Sequence, residues 1–216
     1  MSDIHPKLQA LNGEVADCTK CPLHSTRTNT VPGEGPVPAD IMFIGEGPGK
    51  NEDLQVRPFV GAAGKLLEEL LQGIGKSREE VFIANVVKCR PPGNRDPQSE
   101  EVQSCWSYLE RQVALVDPKL VILLGRHAMD RFLPGQKISK DKGQPKRREI
   151  TGLGVRVYMP IYHPAAALYN PNLKESLAED FAKIDPILEK IHDLPRFESS
   201  RPQLEEDEQV NQTLAL

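Results

Sequence analysis

The stretch Ile41–Leu71, IMFIGEGPGKNEDLQVRPFVGAAGKLLEELL, limits the possible folds more than any other part of this chain. It opens with an apolar run, Ile41 to Ile44, of a length suited to a buried strand. Gly45-Glu46-Gly47-Pro48-Gly49 follows at once, a turn whose glycines let a ligand come close to the main chain. Small residues from Gly61 to Gly64 then lead into a helical pattern with Leu66, Leu67, Leu70, Leu71 and Ile74 on one face. Strand, glycine turn with one carboxylate, then helix is the layout of an α/β ligand site at a strand's carboxyl end.

The rest of the chain repeats that alternation. Apolar runs at Ile41–Ile44, Val81–Val87, Leu120–Leu124 and Val155–Tyr162 read as four strands. Residues 97–116 carry helical spacing, with Asp96-Pro97 as the expected helix start. A short helix is expected after Gly125, and a last helix with Leu173, Leu177, Phe181, Ile184, Leu188 and Ile191 on one face, kinked near Pro186. The predicted fold class is α/β: a three-layer α/β/α sandwich around a central, mostly parallel four-stranded sheet. Residues 1–194 are expected to form one domain, since 216 residues suffice for one good core. The first forty residues read as loop-rich, in need of something other than core burial to hold them. Residues 195–216 read as an acidic, disordered tail.

The net charge of −4 is unevenly placed. Residues 197–216 carry all of it, whereas Arg126–Arg148 holds eight Lys or Arg against two acids and ends in Lys146-Arg147-Arg148. Such a run reads either as a solvated loop or as a stripe that tracks phosphates. No apolar run nears the length of a membrane span, and MSDIHPKLQA lacks a signal-peptide core, so a cytoplasmic protein is expected.

Four cysteines are present: Cys18 and Cys21 as C-x2-C, then Cys89 and Cys105. A reducing compartment argues against disulfides, and the count suits a single metal centre. Spacing alone leaves zinc and an iron–sulfur cluster both open. Polar residues gather after the strand ends: Glu46 after the first, Asn85 near the end of the second, His163 after the fourth. Each has a bland reading as a turn or loop residue. In a parallel sheet, however, these ends share a rim, so the three are expected to meet at one ligand. GEGPGK is not a phosphate loop: three residues rather than four precede Gly49-Lys50, and Asn51 follows where Ser or Thr is needed.

Taken in order, GEGPG, RPFVGAAGKLL, NVVKCRPPGNRDP and YHPAAAL, with four cysteines around them, resemble the family 4 uracil-DNA glycosylases, the iron–sulfur class, over about residues 15–192. The resemblance implies uracil-containing DNA as substrate, a single-chain enzyme at the nucleoid, and a [4Fe–4S] cluster held by Cys18, Cys21, Cys89 and Cys105. It implies a uracil pocket in which Phe59 stacks on the base, Asn85 reads its edge, the Gly47 backbone faces it and Glu52 lies against the thymine-methyl position. His163 would stabilise the leaving uracil anion, and Glu46 would orient water or stabilise the cationic sugar. Leu168 would enter the base stack, and Lys146, Arg147 and Arg148 would meet the DNA backbone.

Two departures from the family pattern stand out. Lys50 and Asn51 replace a common acidic pair, and Ala165 and Tyr169 stand where Ser and Arg are frequent. A covalent uracil-trapping relative carries a basic, histidine-bearing loop between the first two strands. Here only Gly75–Glu80 lies there, so trapping is not expected. The alternatives are a non-catalytic iron–sulfur DNA-binding or redox-sensing module and a zinc-stapled nucleotide hydrolase. The terminal Gln212-Thr213-Leu214-Ala215-Leu216 resembles the short Gln-and-leucine peptides that dock on bacterial sliding clamps, which makes a clamp a second expected partner.

Overall fold

The computed structural model describes residues 5–192. Helix α1 (Pro6–Ala16) comes first, then β1 (Ile41–Gly45), α2 (Lys50–Gln55), α3 (Ala62–Gly73), β2 (Phe82–Asn85), α4 (Ser99–Val116), β3 (Leu120–Leu124), α5 (Arg126–Phe132) and α6 (Ile138–Asp141). The strands β4 (Lys146–Ile150) and β5 (Gly154–Ile161) follow, then α7 (Pro164–Tyr169), α8 (Asn172–Phe181) and α9 (Ile184–Ile191). The strands form one sheet in the order β2-β1-β3-β5-β4. All neighbours are parallel except β4, which runs antiparallel to β5.

The apolar runs are continuous because both sheet faces are buried. Met42 and Ile44 of β1, with Val121 and Leu123 of β3, pack into a core shared with residues of α1, α4 and α5. Ile41, Phe43, Leu120, Ile122 and Leu124 face the other way, onto residues of α3, α8 and α9. This is the expected three-layer sandwich, and β1 lies between β2 and β3, so the strand order reverses there. That reversal opens a crevice outside the carboxyl ends of β1 and β3.

The sheet has five strands rather than four. The extra one, β4, is the basic run Lys146-Arg147-Arg148-Glu149-Ile150. Its charges hide any two-residue alternation, and charge is what an exposed edge strand carries to discourage pairing with other chains. The N-terminal segment is also better anchored than its composition suggests. Leu8, Leu11 and Val15 recur along α1 and are buried against the core. The last helix is two. α8 ends at Phe181, and α9 starts at Ile184 with Pro186 in its first turn, where a missing N–H costs little. A proline ring there clashes with the carbonyl four residues back, at Ala182, so the break falls one turn before the proline. Helix α4 begins at Ser99, not Pro97: the Gln98 N–H donates to Glu101 Oε2 at 2.7 Å, and this closes the start of the helix. The tail and its terminal peptide lie outside the described residues, so the domain boundary at 194 does too.

Candidate active site

The glycine turn is held against β2 by main-chain bonds. The Val86 N–H donates to Gly45 O at 2.9 Å and the Val87 N–H to Glu46 O at 3.1 Å. Gly45 lies under a tight assembly. A Cβ there would come within 2.4 Å of Asn85 Oδ1 and 2.8 Å of the Phe59 ring, so only glycine fits. The Phe59 ring in turn stacks on His163, centroids 5.5 Å apart and planes inclined by 28°. Asn85, Phe59 and His163, which come from three distant parts of the chain, are therefore contiguous, with Glu46 one residue beyond Gly45. Asn85 is 1% exposed, and its Oδ1 is buried with no hydrogen-bond partner among the described residues. A buried acceptor left unpaired costs stability unless a ligand satisfies it.

The tautomer of His163 is set by its position at the start of α7. Its Nδ1 accepts the Ala165 N–H at 3.1 Å, which leaves the proton of the neutral ring on Nε2. Burial holds its pKa down to about 4 against a pull upward from Glu52, so the imidazole is neutral near pH 7. Gly125, at φ +87°, makes room for it: a Cβ would lie 3.0 Å from that of His163.

Phe59 sits at φ +52°, a left-handed backbone that costs an aromatic residue energy and must be imposed by its surroundings. Arg78 supplies part of that constraint, donating to Phe59 O at 2.8 Å and Pro58 O at 2.7 Å while also pairing with Glu34. Glu52 supplies another part: its Oε1 accepts the N–H groups of Val60 and Gly61 at 3.0 and 2.8 Å. Glu52 thus ties the Gly49 turn to the Phe59 loop at the edge of the pocket. Gly47 packs under Val87, where a Cβ would meet Cγ2 at 2.8 Å.

Glu46 has company that the sequence did not reveal. His127 Nε2 lies 3.6 Å from Glu46 Oε2 and 3.1 Å from Asp96 Oδ2, and Arg126 donates to Asp96 Oδ2 at 3.0 Å. Asp96, expected as a helix cap, faces these residues instead. Burial raises the pKa of Glu46 most, Asp96 raises it further, and His127 and Arg126 pull it down.

Leu168 is 48% exposed and Tyr169 90% exposed at the far end of α7. Leu168 lies about 7.5 Å along the axis from His163, by helical rise. Lys146, Arg147 and Arg148 do not join this rim. In β4 Lys146 pairs with Tyr158 and Arg148 with Arg156, so the strand runs away from the end of β5 at Ile161. Five strand residues set Arg148 about 17 Å from the rim. Lys146 is ion-paired with Asp141 at 2.5 Å.

The cysteines gather elsewhere, below the loop that follows β2. Cys18, Cys21, Cys89 and Cys105 line one cavity with Lys20, His24, Arg27, Lys88 and Tyr108. Arg27 donates to Cys89 Sγ at 3.1 Å and the Lys88 N–H to Cys105 Sγ at 3.3 Å. Among the described residues three cations and no carboxylate line it, and burial raises the thiol pKa of Cys21, Cys89 and Cys105, the last to about 11. Such a donor set fits an anionic, thiolate-held group. Lys88 is 1% exposed; its ammonium donates to Asn85 O at 2.8 Å and Gln112 Oε1 at 2.5 Å. It links the cysteine cavity to the strand end that carries the buried amide.

Comparison with known proteins decides the family. Residues 32–188 match the family model described as "Uracil DNA glycosylase superfamily". The chain belongs to the uracil DNA glycosylase superfamily. Within it, relatives named type-4 uracil-DNA glycosylase stand close. The chain is 49% identical to that of Sulfurisphaera tokodaii over 188 residues, which is 82% of this chain and 83% of the relative. It is 50% identical to that of Archaeoglobus fulgidus, over 82% of this chain and 91% of the relative, and 48% identical to that of Saccharolobus solfataricus, over 84% and 86%. In this member of the type-4 group, Asn85, Phe59 and His163 stand together at the sheet rim and the four cysteines line one cavity. Arg78, Asp96, Lys88 and His127 were not foreseen, because their contacts cross between loops distant in sequence. Among the described residues no helix is long and apolar enough to cross a membrane.

Proposed function

We propose that this chain excises uracil from DNA by hydrolysing the N-glycosidic bond of an extruded deoxyuridine, leaving an abasic site for base excision repair. The observation that carries this reading is the unpartnered, buried Asn85 Oδ1 beside the stacked Phe59 and His163 rings. A base inside a duplex is out of reach, so the nucleotide is turned out into the pocket at a cost of a few kcal/mol. There Phe59 offers its face. Asn85 Oδ1 accepts the uracil N3–H and its amide donates to O4. Cytosine presents the reverse pattern, so both bonds fail and the base is rejected. Glu52 holds the wall on which a thymine methyl would fall, and the Gly47 backbone closes the turn.

As the bond to C1′ lengthens, the sugar gains positive charge and uracil leaves as an anion. The neutral His163 donates Nε2–H to its O2, an oxyanion-type contact aimed at charge that develops only during reaction. Glu46, on the crevice side, takes the proton of the attacking water. Leu168, exposed at the end of α7, fills the space the nucleotide vacates. Lys146, Arg147 and Arg148, away from the rim, add long-range attraction to phosphates rather than contacts at the lesion, and affinity falls with salt. All of these groups come from one chain, consistent with a monomer that works on cytoplasmic DNA.

The four thiols would hold a [4Fe–4S] cluster. A zinc ion with 2.3 Å bonds would draw its sulfurs to about 3.8 Å from one another. Among the described residues the ligand atoms that converge within 4.8 Å are those of Glu46, Asp96 and His127, not the sulfurs. When bound, a cluster supplies bonds that cross-link the loop after α1, the segment after β2 and α4. A tail clamp contact through Gln212–Leu216 remains part of this proposal, tested by clamp binding of the chain with and without those residues.

The test is a uracil-containing oligonucleotide treated with the metal-loaded protein and then with alkali. Cleavage at the uracil position supports the assignment. An intact strand would instead favour the non-catalytic DNA-binding reading. Iron content and visible absorbance of the same preparation separate cluster from zinc.

A further inference from the structure

The crevice at the strand-order reversal is flanked by Glu46, just past β1, and by Arg126 and His127, just past β3. Across it, Asp96 comes in from the loop before α4. These side chains form a chain of contacts that starts at the proposed water-activating acid and ends in solvent. The side chain of Glu46 is 28% exposed, that of His127 32% and that of Asp96 61%. Exposure therefore rises stepwise along the path. Beyond Glu46 and His127, the groove between them is lined by Ser99, Asp130 and Arg131.

A base that removes a proton from water must pass it on before the next turnover. In this arrangement Arg126 Nε points at His127 Nε2 at 3.2 Å. Arg126 is the donor in that contact, so Nε2 is the unprotonated nitrogen of the ring and is able to take a proton. It is 3.6 Å from Glu46 Oε2, a small side-chain movement or one water away, and 3.1 Å from Asp96 Oδ2. An imidazolium formed there would sit between two carboxylates.

We propose that His127 and Asp96 are positioning residues for Glu46: they fix its outer carboxylate oxygen and carry to solvent the proton it takes from the attacking water. The step balances. The water O–H bond breaks and its proton goes to Glu46, while the oxygen bonds to C1′. The C1′–N1 bond breaks and its electron pair leaves with uracil. The proton then passes from Glu46 to His127 Nε2, Asp96 balances the imidazolium, and bulk water removes the proton. This rests on the reading of Glu46 as the base, and it adds a route that the pocket residues alone do not provide.

The groups facing Glu46 act on it in opposite directions. His127 and Arg126 lower its pKa and Asp96 raises it. Asp130, Arg131 and Ser99 face the same groove, and His163 is close enough to feel the charge of His127. A base works only when ionised, so activity is lost as pH falls through the pKa of Glu46. Removing His127 should move that acid limb to higher pH; Asp96→Asn should move it to lower pH.

The experiment is the excision rate of the cluster-loaded protein on a uracil oligonucleotide between pH 4.5 and 9, measured over many turnovers and in a single turnover, for the native chain, His127→Ala, Asp96→Asn and Glu46→Gln. Expected are a loss of about tenfold at neutral pH for His127→Ala, a modest share of the range for general acid–base assistance, limbs displaced in opposite directions, and partial rescue of His127→Ala by free imidazole. Asp96 is exposed and His127 partly buried, and melting curves with His127→Gln as a second variant guard against misfolding. Limbs that stay put or move together, with no imidazole rescue, overturn the relay while Glu46→Gln remains slow. A Glu46→Gln variant as fast as the native chain overturns the base reading itself and the relay with it.

Discussion

The sheet-rim pocket and the cysteine cavity are neighbours built on opposite principles. At the rim, Asn85 and Gly45 sit on strand ends buried on both faces, and His163 caps a helix that follows directly from β5. Their geometry comes from the sheet, which exists without them. The cavity takes Cys18 and Cys21 from a loop, Cys89 from the exit of β2 and Cys105 from α4. An isolated bridge, Thr30 to Cys89, and the packing of α1 on α4 join those segments, and the proposed cluster would add cross-links among them. Removing a rim side chain should therefore cost chemistry and spare the fold, and removing a thiol should do the reverse.

The largest expected effect is at His163. Loss of one oxyanion-type donor in His163→Ala should slow single-turnover excision by about 10²- to 10³-fold, with a melting temperature close to that of the native chain. A fall in both would mean that the rim is structural too. Next, if the proposed cluster is bound, Cys105→Ser should lose its visible absorbance and destabilise the chain by about 3 kcal/mol, a size reached when a metal site is lost, as read by thermal melting and iron analysis. Lys88→Met crosses the divide, since its ammonium ties Asn85 O to the cysteine-bearing loop. We expect about a tenfold rise in KM, the size of one lost hydrogen bond from a charged group, and a partial loss of the proposed cluster's absorbance. An effect on only one of the two readouts would show the regions to be independent.

Two smaller effects sharpen the contrast. His163 keeps a folded-state pKa of about 4, below that of the unfolded chain. The unfolded state therefore binds more protons between pH 6.5 and 4, and stability falls as pH drops through that window. A proton titration of His163 followed by NMR should place its midpoint near the lower end. A midpoint near 6.5 would mean that the ring is solvated. Least of all, Arg148→Ala should change DNA affinity by about twofold or less at fixed salt, because one distant phosphate interaction contributes little.

The parts of this molecule that were legible in its sequence share a physical origin. Ile41–Ile44 and Leu120–Leu124 declare themselves because a parallel strand covered on both faces must be apolar throughout. Glu46, Asn85 and His163 could be grouped because parallel strands deliver their carboxyl ends to one rim. β4 stayed hidden because an edge strand has no need of an apolar face, and α1 because its three buried residues are diluted by Gln, Asn and Gly. Arg78, Lys88, Asp96 and His127 could not be anticipated. Their partners are fixed by how loops from different strands meet, and no local period records that. The basic run was legible as charge but not as place: register alone shows that it leads away from the pocket.

The central claim is that the buried amide of Asn85 meets one extruded uracil beside Phe59 and His163. The most direct test is single-turnover release of the base from matched oligonucleotides that carry one uracil or one cytosine, by the native chain and by Asn85→Ala. The account predicts that the native chain frees uracil and leaves cytosine, and that Asn85→Ala, folded and cluster-loaded, frees uracil at least about a hundredfold more slowly. Equal rates for the two proteins on uracil would contradict it.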